Sequence, residues 1–175
     1  MNTKVTIAGV ELKNPVMTAS GTFGSGMEYG EFVDLNKLGA VVTKGVSNVA
    51  WPGNPTPRVA EVTGGMLNAI GLQNPGIGVL VEEKVPALKK IYGGAVIANI
   101  SGFSLEEYSE CCRQAAACDG VDIVEVNVSC PNVHNGGMSF GTDPKAAAEV
   151  ISAVKKCCAK PVIAKYIQRV IQNGL

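Results

Sequence analysis

Short apolar runs recur along this chain, each closed by a polar residue or a glycine and followed by a longer stretch with helical spacing. Val5–Ile7 and Val10–Leu12, on either side of Ala8-Gly9, predict an N-terminal hairpin. Residues 15–18, 40–43, 95–98, 123–126 and 161–164 are mostly apolar or β-branched runs, broken only by Glu125, and predict five short buried strands. Between them, helices are expected over residues 29–38 and 79–92, the second interrupted by Pro86. A further helix is expected over Leu105–Ala117, with Ser104 as its cap and Glu107 at the capping-box position. Asp143-Pro144 opens another, with proline in its first turn, reaching about Cys158. Strands alternating with helices mean βα units on a parallel sheet. Residues 47–76, rich in Pro, Gly and Asn, read as one long loop, and loops of that length are usually functional. No linker interrupts the pattern, so residues 1–175 are expected to form a single domain.

Charge narrows the picture. The 15 Lys and Arg balance the 15 Asp and Glu, and no basic run occurs, which argues against a nucleic-acid partner. Apolar stretches are too short to span a bilayer, and the N-terminus lacks the apolar core of a signal peptide, so a soluble cytoplasmic protein is expected. The six cysteines are then expected as reduced thiols. No C-x-x-C pair is present, and no metal site is expected. Cys111, Cys112, Cys157 and Cys158 read as small core or helix-surface residues. The one histidine, His134, lies in a glycine-rich loop without a G-x-S-x-G elbow. No phosphate-binding glycine loop follows a strand; Gly64-Gly65 and Gly136-Gly137 read as turns.

The strand ends carry the candidate chemistry. They are Ser20-Gly21, Lys44-Gly45, Asn99, Asn127 and Lys165. Ligands of parallel α/β folds sit at the carboxyl ends of strands. One polar strand end can simply be reaching solvent, but polar residues at all five, lysine or asparagine at four of them, point to a shared site. Cys130, inside Asn127-Val128-Ser129-Cys130-Pro131-Asn132, follows the fourth strand on that same face. A thiol in that position acts as a base if its surroundings lower its pKa; otherwise it packs.

Five segments, in order, carry a family resemblance. Residues 68–76, Asn-Ala-Ile-Gly-Leu-Gln-Asn-Pro-Gly, resemble the substrate-loop signature of dihydroorotate dehydrogenases, and residues 127–132 resemble the catalytic-loop signature of that family. Residues 54–58, 43–45 and the opening Asn14-Pro15 through Gly21 also match in order and spacing. The resemblance implies a (β/α)₈ TIM barrel, here cut to about five βα units, holding FMN at its top. It implies Cys130 as the base that removes the C5 proton of dihydroorotate while hydride passes from C6 to the flavin, a step of pyrimidine (UMP) biosynthesis. Substrate contacts are expected from Lys44, Asn68, Ala69, Ile70, Gly71, Leu72, Asn127 and Asn132. FMN contacts are expected from Ser20, Lys44, Gly45, Asn99, Asn127 and Lys165. Cysteine as the base points to class 1, and Ala69-Ile70 with Gln73 looks like class 1B. That class implies a homodimer, a partner subunit carrying FAD and a [2Fe-2S] cluster, and NAD as final acceptor.

The resemblance covers about residues 4–165; the tail from Tyr166 to Leu175 departs from it and reads as an amphipathic helix or as unrelated sequence. A closed barrel needs eight strands and ~250 residues, and its last two loops usually hold the phosphate. The chain as written is therefore expected to bind FMN weakly. Two other readings compete: an inactive half-barrel or interaction fragment, and a flavin barrel like that of dihydropyrimidine dehydrogenase.

Overall fold

The computed structural model describes residues 2–128 and 140–166. Its strands are β1 (Val5–Ile7), β2 (Val10–Leu12), β3 (Ala40–Val42), β4 (Val59–Val62), β5 (Gly65–Asn68), β6 (Ala95–Ile100), β7 (Ile123–Asn127) and β8 (Val162–Lys165). Its α-helices are α1 (Ile77–Val79), α2 (Val85–Lys89), α3 (Leu105–Ala117) and α4 (Pro144–Cys157). The central sheet has the order β3-β6-β7-β8 and every pair is parallel.

Alternation along each strand divides the core. Val41, Val96, Ala98, Ile100, Val124 and Val126 face the helices, against Leu80, Val85, Leu88, Cys112, Ala115, Val150 and Val154. Ala40, Val42, Ile97 and Ile123 face the other way and are plugged by Leu12, with Val5, Ile7, Val10 and Ile163 around them. A sheet buried on both faces needs apolar residues at nearly every position, which is why these strands read as nearly unbroken runs. The hairpin turns through Ala8 (φ 50) and Gly9 (φ 84), the two positive φ values of a tight primed turn.

Helix starts follow the sequence. Ser104 Oγ accepts from the Glu107 amide at 3.2 Å, and Glu107 Oε2 accepts from the Phe103 amide at 2.8 Å. At α4 the Asp143 side chain accepts from the Lys145 amide at 2.9 Å. Cys111 and Cys112 are buried in the core, while Cys118, Cys157 and Cys158 are half-buried free thiols.

Four expectations are corrected. Residues 15–18 are not a buried strand: Val16 and Met17 are exposed, and a single parallel bridge joins Met17 to Ala40. Pro15 has no N–H for a ladder, the backbone bonds stop at Val16 and Thr18, and the Thr18 side chain ties the segment to β3, accepting from the Val42 amide at 2.8 Å and donating to the Val42 carbonyl at 3.1 Å. Among the described residues the parallel sheet thus has four strands rather than five. Residues 29–38 form no α-helix; they hold only the end of one 3-10 turn, Met27–Tyr29, and a second, Leu35–Lys37. Phe32 and Val33 are exposed, so no packed apolar face supports a helix there. Residues 79–92 are helical only through a π turn, Leu80–Lys84, between α1 and α2. Pro86 lacks an N–H and its ring collides with the carbonyl four residues back, and the wider turn accommodates both defects. Residues 47–76 are not all loop: β4 and β5 form an antiparallel ribbon, exposed along both strands, turning at Gly64 (φ 75).

Candidate functional site

On the face plugged by the hairpin, side chains change character from the bottom of the sheet to its top. Ala40 pairs with Ala95, then Val42 with Ile97 and Ile97 with Ile123. Above them Asn99 pairs with Glu125, and Asn127 with Lys165. Lys44 lies two residues past Val42 on the same parity. The polar groups therefore collect at the carboxyl ends of the parallel strands, on one face, where such folds bind ligands. Beside Lys44 a cleft of about 610 Å³ opens between Ser25, Glu28, Trp51, Gln73 and Asn74.

Strands β3 and β6 meet at the centre of this face. The Thr43 amide donates to the Ile97 carbonyl at 3.0 Å and the Val46 amide to the Asn99 carbonyl at 3.1 Å. Asn99 is fully buried; its Nδ2 donates to Glu125 Oε1, and its Oδ1 has no hydrogen-bond partner. Ser101 Oγ, also buried, has none either. A Cβ added to Gly45 would overlap Asn99 Oδ1 and come within 3.6 Å of Leu72 Cδ1. Glycine at 45 thus leaves room above the Asn99 oxygen, beside the 68–76 loop. Two orphaned buried oxygens and a cradle that any side chain would fill suit a ligand that can both donate and accept, and FMN carries ribityl hydroxyls and one flavin N–H that could meet the Asn99 oxygen. In that fit, Asn99, Ser101 and the Gly45 backbone would hold the group, with Lys44 supplying positive charge.

The 68–76 loop is held by its own polar residues. Asn74 Oδ1 accepts from the Ser47 amide (3.0 Å) and the Gly76 amide (2.9 Å), while Nδ2 donates to the Leu72 carbonyl (2.8 Å) and to Ser47 Oγ (3.0 Å). Trp51 and Asn74 exchange backbone bonds of 2.8 and 2.9 Å. Asn54 Nδ2 donates to the Ala69 carbonyl at 2.7 Å, and Arg58 donates to the Pro52 and Asn54 carbonyls and to Gln73. These bonds fix Gly71 (φ 74) and Leu72 (φ 54) in the left-handed region, which for a leucine costs ~1 kcal/mol or more.

The structure brings together Lys44, Gly45, Leu72 and Asn99, and it pairs Asn127 with Lys165. Asn127 is anchored from behind, its carbonyl accepting from Tyr108 Oη at 2.7 Å. Ser20 is buried beyond Thr18, Asn68 and Ala69 are exposed at the root of the ribbon, and Ile70 is half-buried. Lys165 is exposed. Cys130, Asn132, His134 and Gly136-Gly137 lie outside the described residues, as does the tail from residue 167. Sequence reading passed over Glu125, Ser101 and Asn74. Glu125 had a legible signal, a charged residue inside an apolar strand run; Asn74 had none beyond its place in the loop motif. Away from this face, burial, and then Glu107 and Glu110, push Cys111 up to about 12, and burial pushes Cys112 up as well, so both favour the neutral thiol. Among the described residues no group of three or more His, Cys, Asp or Glu can hold a metal ion, and no helix is long and apolar enough to cross a membrane.

Comparison with known proteins bears on this geometry. The sequence model of the dihydroorotate dehydrogenase family matches residues 2–170, five residues further than the motifs alone reached. The chain is 57% identical over 170 residues to the protein named dihydroorotate dehydrogenase B (NAD(+)), catalytic subunit, of Alkaliphilus metalliredigens, covering 97% of this chain and 56% of that one. It is 58% identical over 165 residues to the like-named protein of Lachnoclostridium phytofermentans, covering 94% and 54%. For that of Geobacter sulfurreducens the figures are 56% over 161 residues, 92% and 52%. The chain therefore spans about half the length of the curated relatives it matches. A solved structure of DHODH in complex with ferulenol from Eimeria tenella superposes with a TM-score of 0.70 at 18% identity, over 89% of this chain and 43% of that one. That likeness concerns the fold, and the parallel sheet with its helices is part of a TIM barrel. With the family model matched over nearly the whole chain and the polar strand ends on one face, the chain belongs to the dihydroorotate dehydrogenase family.

Proposed function

We propose that this chain supplies the N-terminal part of an FMN-dependent dihydroorotate dehydrogenase, oxidising dihydroorotate to orotate in pyrimidine biosynthesis. The observation that carries the reading is the polar end of the plugged sheet face, where buried Asn99 Oδ1 lies without a partner beside Gly45 and buried Ser101 Oγ also lacks one. FMN, held by Asn99, Ser101 and the Gly45 backbone, would supply the acceptor for the hydride that leaves C6 of dihydroorotate. Cys130 takes the C5 proton, so that the C5–C6 bond becomes the double bond of orotate. Lys44 places a cation where the carboxylate and the developing negative charge need one. Asn68, Asn127 and Asn132 can each donate and accept, which suits the amide-like edges of a pyrimidine ring. Ala69, Ile70, Gly71 and Leu72 shape the loop over it; Ser20 and Lys165 complete the flavin contacts.

The finer reading is class 1B: a homodimeric cytoplasmic enzyme paired with an electron-transfer subunit carrying FAD and a [2Fe-2S] cluster, with NAD as final acceptor. The printed names of the relatives, which specify NAD(+) and a catalytic subunit, support it. To test the function, the full chain is loaded with FMN and titrated anaerobically with dihydroorotate. Bleaching of the flavin absorbance, abolished in Cys130→Ala, is the expected result. Bleaching by dihydrouracil but not by dihydroorotate would instead assign a dihydropyrimidine substrate. Bound FMN that neither compound bleaches would assign a binding role without turnover.

A further inference from the structure

We infer that Glu125 is a positioning residue for the flavin site: its carboxylate fixes which way the Asn99 amide faces. The inference rests on the flavin reading above and extends it to a residue that touches no ligand itself. Asn99 can face its site in two ways, related by exchange of oxygen and nitrogen about the last side-chain bond. In the observed one, Nδ2 donates to Glu125 Oε1 and Oδ1 lies against Gly45. In the exchanged one, Oδ1 would meet the Glu125 oxygen, acceptor against acceptor, and no bond could form. Asn99 and Glu125 are register partners on adjacent parallel strands, so the pairing follows from the sheet itself and not from a mobile contact. Both flank the same surface. Asn99 is fully buried, Glu125 half-buried, and the strand on the other side of Asn99 contributes Gly45, whose missing side chain leaves the oxygen its place.

The consequence is chemical. Glu125 makes the group presented by residue 99 an acceptor. That acceptor selects a ligand edge that carries an O–H or N–H group; Ser101 Oγ, the other buried oxygen without a partner, can accept or donate. With the amide exchanged, the site would offer two N–H donors there, and would suit a carbonyl or phosphate edge instead. A carboxylate inside an otherwise apolar strand is costly unless it is paired, and its partner here is the amide it orients.

The test measures FMN dissociation constants of the full chain by quenching of flavin fluorescence, with no turnover involved. Glu125→Gln keeps an oxygen that accepts from Asn99 Nδ2 and should stay within about threefold of the parent. Glu125→Leu removes the acceptor and should weaken FMN binding about tenfold or more, the worth of one buried hydrogen bond. Asn99→Asp sets two carboxylates face to face and should weaken binding at least as much. Asn99→Asp with Glu125→Gln reverses the direction of the bond, the introduced amide donating to the introduced carboxylate, and still presents an acceptor; this pair should recover most of the loss. Thermal unfolding of the same variants without FMN separates positioning from a purely structural role: positioning keeps the midpoints of the single variants near the parent's while FMN binding falls, and midpoints that fall and recover in step with binding assign a structural role and overturn the inference. Parent-like binding in Glu125→Leu, or a double variant no better than Asn99→Asp alone, overturns the inference and leaves the flavin reading standing. A parent chain that takes up no FMN overturns both.

Discussion

At the scale of single residues, the site depends on what two positions leave out and what one holds. Gly45 is required for space rather than for backbone freedom, since its φ is not in the left-handed region and the obstacle is the Asn99 oxygen. Gly45→Ala should lower stability by about 1–3 kcal/mol through overpacking, and should weaken FMN binding further; thermal unfolding and flavin fluorescence read the two effects separately. Gly71 is a different case, with φ 74 and an Asn54 side-chain atom 2.8 Å from where a Cβ would sit, so both conformation and space exclude a side chain. Asn74 holds the loop through four hydrogen bonds. Removing them with Asn74→Ala leaves the Ser47 and Gly76 amides without partners, at a cost of about 2–4 kcal/mol. The loss should be local: hydrogen exchange at residues 71–76 rises sharply while β6 and β7 keep their protection, and protection lost equally everywhere would show that Asn74 supports the whole fold instead.

At the scale of elements, caps and polar anchors set the boundaries. Ser104→Ala should cost about 1 kcal/mol in denaturant unfolding, because the Glu107 amide loses its acceptor. Tyr92 follows α2, buried, with its hydroxyl donating to the Leu38 carbonyl at 3.2 Å. Burial, and then Asp122, push this phenol up to about 12 from its ordinary 10. The folded state therefore favours the neutral form; the stability this gives is complete below pH 10 and is lost as pH climbs toward 12. Tyr92→Phe should cost about 1 kcal/mol at pH 7 by losing the hydrogen bond, yet show a shallower loss of stability between pH 10 and 12. Equal alkaline slopes in the two proteins would refute this. The elements the sequence made legible are those whose pattern and packing agree: β6, β7, α3 and α4 each have an apolar run or stripe that the core buries, with a cap at the helix starts. Where the two part, reading failed. Phe32 and Val33 look like a helix face but are exposed, and the Thr18 hydroxyl takes both backbone groups of Val42, which no periodicity announces. The strand-end residues Lys44, Asn99 and Asn127 were legible because a parallel sheet fixes which end carries chemistry. Glu125 was not singled out, since its role lies in a pairing across strands that only the register reveals.

At the scale of the whole molecule, the two core clusters share their strands. Ile123 faces the hairpin and Val124 faces the helices; Val96 and Ile97 divide in the same way. Neither cluster can open without stripping the other face of the same strand, so we propose that the chain unfolds as one domain. Leu12 tests the coupling, because it is buried on the hairpin, on the side of the sheet away from every helix. Leu12→Ala should cost about 2–5 kcal/mol for the lost burial and the cavity it leaves. If the clusters are coupled, that loss moves the denaturant midpoint of far-UV circular dichroism, which reports the helices, by as much as it moves the emission of Trp51. Trp51 is an independent reporter: it lies at the carboxyl end of the sheet, against Phe103 with ring centroids 5.3 Å apart, and is bonded to Asn74. Coincident transitions in parent and variant, displaced together, fit a single cooperative unit. A variant whose Trp51 transition stays in place while the helical signal shifts would mean that the ribbon and the loop at the mouth of the site fold independently of the barrel floor, and Asn74 rather than the shared strands would then be what holds the site in shape.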